Sequence, residues 1–227
     1  MQKGPYGHPL VVTGQRHPGG WASGLLGESG LSIHLHEIGT PVTADRNDAQ
    51  ADIQVFFSGE TEGAIPWGVG AWESLQKRVM EANGGGGRML LRPHHRHVLA
   101  DAPACRHWLF SKEPDPPACG VALSPASILV GSMVDAWEDH IGRLFEFIGD
   151  SSGAVILEDF HLSDSGEIQS VTMGSGRLDG GLVGSMIRTH VPSDVPVIID
   201  AGSIDEAKSW LWPSSCDQDL SSGLQST

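Results

Sequence analysis

Apolar residues in this chain fall in short runs separated by amphipathic stretches. The runs Pro9–Thr13, Leu31–Glu37, Asp52–Phe57, Arg88–Leu91, Gly120–Leu123, Ala154–Phe160 and Val195–Ile199 predict strands. Most are aliphatic or β-branched on both faces, the pattern of parallel strands covered by helices. From about Met133 to Ile148 the residues Val134, Trp137, Ile141, Leu144, Phe145 and Ile148 recur every three or four positions and share one helix face. Ser132 is the expected N-cap of that helix, with Asp135 in its first turn. A helix over about Trp72 to Glu81 aligns Trp72, Leu75 and Val79 and ends at Asn83-Gly84. Asp179 is placed to cap a third, which buries Leu182, Val183, Met186 and Ile187. Ser203 to Glu206 reads as a capping box before Ala207 to Leu211.

Alternation of strand and helix predicts an α/β fold, and a (β/α) TIM-type barrel in particular. An open doubly wound sheet is the structural alternative. A closed barrel needs eight strands, and seven are read here. The missing one would precede Pro9, so the barrel is expected to be incomplete or seven-stranded, or its gap filled by another chain. An open edge of that kind predicts a homodimer. Residues 1–212 form the expected barrel domain, and 213–227 a flexible polar tail.

With 227 residues, 39% hydrophobic and 19% charged, the composition is that of a globular protein with a sizeable core. A formal charge of −14 and the absence of any basic run argue against nucleic acid as a partner. No apolar run approaches the ~20 residues of a spanning helix, so no membrane partner is expected. Met1 to Pro9 lacks the cationic and apolar regions of a signal peptide. Cys105, Cys119 and Cys216 form no C-x-x-C pair, which points to buried thiols in a reducing cytoplasm. Gly174-Ser175-Gly176 lacks the third glycine of a dinucleotide loop.

Three stretches carry a family likeness. They are Leu90-Leu91-Arg92-Pro93-His94, Val121-Ala122-Leu123-Ser124-Pro125-Ala126-Ser127, and Asp159-Phe160-His161-Leu162-Ser163-Asp164 followed by Gly174-Ser175-Gly176-Arg177-Leu178-Asp179. In order and spacing they resemble the carboxyl-terminal half of the xylose isomerase-like sugar isomerase and epimerase barrels. Val195 to Asp200 falls where the last family strand ends in Glu, and the segments at Leu31 and Asp52 fit the third and fourth strands by pattern. The resemblance implies a divalent cation (Mn, Mg or Zn) held by Glu, Asp, His and Glu, and a small sugar or polyol as ligand. Such a cation stabilises an enediolate while neighbouring carboxylates move protons.

This chain departs from that pattern. Arg92 replaces the first Glu, Ser124 the Asp, and Ser127 the His of the same motif, while His161 remains and Asp200 shortens the last Glu. A guanidinium keeps its charge in proteins, and two unit charges about 4 Å apart repel by about 4 kcal/mol at an effective dielectric near 20. The metal site is therefore expected to be degenerate. His161, Asp200 and His95 form the remaining metal-ligand set, the last of them from the imidazole-rich His94, His95 and His97, a segment that reads first as a solvated loop after its strand. Asp200, Glu60 and Glu37 are the carboxylates placed for proton transfer. Arg92, His94 and Trp67 are the candidate ligand contacts, with an internal ion pair to Asp200 or Asp159 as the other reading of Arg92. His34 and His36 share a strand face that packs against a helix or meets solvent. Two functions follow: an isomerase or epimerase with an altered site, or an inactive relative that binds a small molecule or protein.

Overall fold

The structure, a computed structural model, describes residues 8–12, 16–17, 20–21, 25–26, 32–36, 51–59, 70–82, 87–111 and 119–213. In chain order its strands are β1 (Leu10–Val12), β2 (Arg16–His17), β3 (Gly20–Trp21), β4 (Leu25–Leu26), β5 (Ser32–Leu35), β6 (Ile53–Phe57), β7 (Arg88–Arg92), β8 (Cys119–Leu123), β9 (Ala154–Leu157), β10 (Asp159–Leu162), β11 (Ile168–Val171) and β12 (Val197–Ile199). Its helices are α1 (Ala71–Ala82), α2 (Ala102–Phe110), α3 (Trp137–Ile148), α4 (Gly180–His190) and α5 (Ile204–Leu211).

The main sheet runs β1-β12-β9-β8-β7-β6-β5-β4. Every neighbouring pair from β1 to β5 is parallel, and β4 pairs antiparallel with β5. The two ends of this order, β1 and β4, come into contact, so the sheet curls into an incomplete barrel. All seven predicted strands are present. The gap lies elsewhere than expected: β1 pairs directly with β12, and among the described residues the short antiparallel β4 stands between β1 and β5.

Strand side chains alternate between two cores. Val11, Ile33, Leu35, Ile53, Val55, Leu90, Ala122, Ala154, Ile156 and Ile198 fill the barrel interior as one buried cluster. Their neighbours in sequence, such as Leu10, Phe56, Leu91, Val121, Val155 and Val197, face the helices. Both strand faces are apolar because both are covered. α3 buries Trp137, Ile141, Leu144, Phe145 and Ile148 on this outer face. Each such side chain contributes about 1.5–3 kcal/mol relative to exposure.

Helix ends match the sequence in part. Asp179 accepts from Leu182 N, and Ser203 accepts from Glu206 N while Glu206 Oε2 accepts from Gly202 N. Ser132 is not the N-cap of α3. Residues Gly131–Ala136 form 3-10 turns, and α3 follows from Ala136 with no side-chain cap. α2 was not predicted. Asp101 caps it by accepting from Ala104 N, and its proline falls in the first turn, where no helical N–H is required. Cys105 and Cys119 are buried as expected, and burial pushes the Cys105 thiol up to about 12; Cys216 lies outside the described residues.

Candidate functional site

Alternation along the strands carries the interior face out to the carboxyl-end mouth of the barrel. Two residues past Val55, Leu90, Ala122, Ile156 and Ile198 come Phe57, Arg92, Ser124, Glu158 and Asp200, all buried. Active sites of such barrels lie at this end.

Arg92 is the centre of the set. Its guanidinium forms an ion pair with Glu158, donates from Nε to Ser124 Oγ at 3.1 Å, and lies 4.7 Å from the ring centre of Phe57, its register partner on β6. Ser170 Oγ, on β11, donates to Glu158 Oε2 at 3.3 Å. Desolvating each ion costs several kcal/mol, which the pair offsets only when the remaining donors and acceptors are also engaged. Here the hydroxyls and the ring supply that second layer. Arg92 thus has Glu158 as an ion-pair partner.

A divalent cation does not fit this donor set. The guanidinium puts a fixed positive charge at its centre, and no group of three or more His, Cys, Asp or Glu among the described residues is disposed to hold a metal. His161, Asp200 and His95 therefore do not converge. His161 is half-buried on β10, and its Nε2 meets Gln169 Oε1 at 2.9 Å across the β10–β11 hairpin. Asp200 is buried beyond β12, with its backbone N donating to Leu157 O. Ser127, in place of the motif histidine, ties two loops together: its Oγ donates to Pro93 O at 2.6 Å and lies 2.9 Å from Ser124 O.

Directly after β7 the chain folds back, with His97 N donating to His94 O and His94 N to Leu99 O. This turn stacks the rings of His94 and His95 at 4.4 Å and sets His94 and His97 at 4.6 Å. Phe57 meets the edges of His94 and His97. Burial pushes the His94 imidazole down to about 3, helped by the neighbouring His97, His95, Arg92 and Arg96. Burial also lowers His95, against a raising bond to Ser127 O, and Arg96 lowers it further. Both rings are neutral at pH 7. Beside them opens a cleft of about 440 Å³, walled by Leu129, Val130 and Gly131 after β8 and by Gly166, Glu167 and Ile168 at the hairpin. Arg96 and Glu167, both lining it, approach to 3.6 Å.

The other expected contacts fall elsewhere. Glu37, Glu60 and Trp67 lie outside the described residues. His36 stacks on the outward-facing Phe56 at 3.8 Å, and His34 sits 4.2 Å from His36, so this pair packs away from the barrel interior. Asp159 is structural: its buried carboxylate accepts from the backbone N–H groups of Phe160, Gly174, Gly176 and Leu178. Those amides are the reason for the Gly174-Ser175-Gly176 loop, and they are already taken. Glu158 escaped the sequence reading. Counting two residues on from Ile156 would have marked it, but Ala154–Phe160 reads as one uninterrupted strand.

Fold and site together define an incomplete (β/α) barrel of the TIM type whose mouth holds a buried ion pair. No family model and no curated protein matches the chain. Among solved structures it is similar to a xylose isomerase-like TIM barrel protein from Mycobacterium smegmatis, crystallised in complex with magnesium, at 11% identity and TM-score 0.46 over 71% of this chain and 58% of that one. It is also similar to a protein from Sinorhizobium meliloti 1021, at 15% identity and TM-score 0.42 over 75% of this chain and 62% of that one. A third is a xylose isomerase-like TIM barrel/4-hydroxyphenylpyruvate dioxygenase fusion protein, at 16% identity and TM-score 0.43 over 72% of this chain and 27% of that one. The chain thus spans less than two thirds of the length of each.

Proposed function

We propose that this protein is a sugar isomerase/epimerase-like barrel that binds a small sugar or polyol without metal-dependent isomerisation. The reading rests on the buried Arg92, held by Glu158 and Ser124 at the mouth of the barrel. A fixed cation there replaces the mobile one that an enediolate mechanism requires, and its charge is already matched by Glu158. Beside it, the cleft offers His94, His95 and the Arg96–Glu167 pair against apolar walls, the usual composition of a small-molecule site.

Metal analysis of the purified protein, an assay of ketose–aldose exchange and calorimetric titration with polyols test this together. The expected result is a metal-free protein, no exchange and measurable polyol binding. Stoichiometric Mn, Mg or Zn that is lost on His161→Ala, together with exchange activity, would overturn it.

A second reading, retained turnover with an altered site, draws on Glu158 and Asp200, two buried carboxylates beyond the adjacent strands β9 and β12. Carboxylates so placed can exchange a proton with a bound hydroxy-ketone. Deuterium uptake from solvent into a ketose, abolished by Asp200→Asn, would favour this reading over binding alone.

A further inference from the structure

We infer that the cleft beside His94 and His95 selects an uncharged ligand with neighbouring hydroxyls, one bound by a donor on His94 and the other by an acceptor on His95. This inference rests on the binding reading above and names its ligand class.

The backbone fixes the two tautomers. His94 Nδ1 lies 3.2 Å from Arg96 N, and an amide N–H can only donate, so Nδ1 is the acceptor and the proton of the neutral ring sits on Nε2. His95 Nδ1 lies 3.2 Å from Ser127 O, and a carbonyl can only accept, so Nδ1 carries the proton and Nε2 keeps its lone pair. Two stacked rings at 4.4 Å thus offer opposite polarities, one N–H and one lone pair. Both line the cleft, and neither Nε2 has a hydrogen-bond partner among the described residues. A hydroxyl both donates and accepts, so adjacent hydroxyls can satisfy both nitrogens at once. A carboxylate or phosphate oxygen accepts only and would leave His95 facing like polarity.

Charge points the same way. Arg96 is matched by Glu167 at the cleft and Arg92 by Glu158 behind it. No uncompensated cation remains among the described residues lining the cleft, so a phosphate ester would enter beside the Glu167 carboxylate without a counter-charge of its own. Leu129, Val130 and Ile168 provide apolar wall for the C–H faces of a polyol.

Calorimetric titration of the full chain with erythritol, xylitol and sorbitol, and in parallel with glycerol 3-phosphate and sorbitol 6-phosphate, tests the inference. An uncharged polyol is expected to bind at least tenfold more tightly than either ester, and His95→Leu to weaken polyol binding at least tenfold with an unchanged circular dichroism spectrum. Nitrogen-15 NMR of the imidazoles should show His94 protonated on Nε2 and His95 on Nδ1. Tighter binding of an ester, or the reverse tautomers, overturns the inference and leaves the binding reading in place. Absence of binding by both classes removes the binding reading as well.

Discussion

Arg92 and Glu158 pair through side chains that are each only 4% exposed, on strands β7 and just beyond β9 with β8 between them. Removing one member strands the other as a buried ion. Glu158→Gln is therefore expected to lower stability by about 3–5 kcal/mol in urea denaturation. A double change to Arg92→Met and Glu158→Leu should recover most of that loss, since neither charge is then desolvated. A Glu158→Gln variant within about 0.5 kcal/mol of the parent would mean that the pair is not sealed from water.

His94 links stability to pH with a definite sign. Its folded value of about 3 lies below the ordinary 6.5. Below pH 6.5 the unfolded chain therefore takes up a proton that the folded chain refuses. Stability should fall as pH drops from 6.5 towards 3 and gain nothing from this residue above 6.5. The groups facing the ring are His95, His97, Arg92 and Arg96, none of which offers it a negative charge. Urea midpoints between pH 8 and 4.5, compared with those of His94→Asn, isolate the effect. The variant should show the flatter profile, and parallel profiles would refute the linkage.

Asp101 offers a smaller, local test. Its carboxylate accepts from Ala104 N at 2.8 Å and is the side-chain cap of α2. Asp101→Ala should cost about 1 kcal/mol, read as a shift in urea midpoint. Asp101→Asn, which keeps a cap acceptor, should cost much less. Equal losses in the two variants would point to charge instead of capping.

The seven parallel strands were legible because a strand buried on both faces is a continuous apolar run. β4 was not: two residues paired antiparallel at a gap carry no periodic signal. For that reason strand counting misplaced the gap. α2 was missed because Pro103 weighs against a helix until Asp101 is recognised as the cap that puts the proline in the first turn. At the site, two-residue alternation places Arg92 and Ser124 on the interior face. Which carboxylate meets the guanidinium depends on the chain leaving its strand at Leu157, and Ala154–Phe160 contains no glycine or proline to mark that break. Likewise, the neutrality of His94 is a product of burial and of neighbours brought together by a turn; three histidines in sequence do not reveal it.

Asp159 and Gly176 give the sharpest separation of architecture from ligand chemistry. The Asp159 carboxylate is fully buried and accepts from four backbone N–H groups, three of them in the loop 174–178. Hydrogen bonds to a charged acceptor contribute about 1.5–3 kcal/mol each, without simple additivity. Asp159→Asn turns one acceptor oxygen into a donor facing those amides, so a loss of at least about 3 kcal/mol is expected. A Cβ on Gly176 would overlap Asp159 Oδ1 and the Phe160 carbonyl, one of them backbone that cannot swing aside. Gly176→Ala should then cost about 1–3 kcal/mol from overpacking. Gly70→Ala is the control: its φ is +85° with nothing within 4 Å, so it carries backbone strain alone, about 1 kcal/mol. Because Asp159 and Gly176 touch, their combined variant should lose less than the sum of the two, whereas Asp159→Asn with Gly70→Ala should be additive. Urea denaturation of the five variants decides it. An additive Asp159–Gly176 pair would show that the loop is held by something other than this carboxylate.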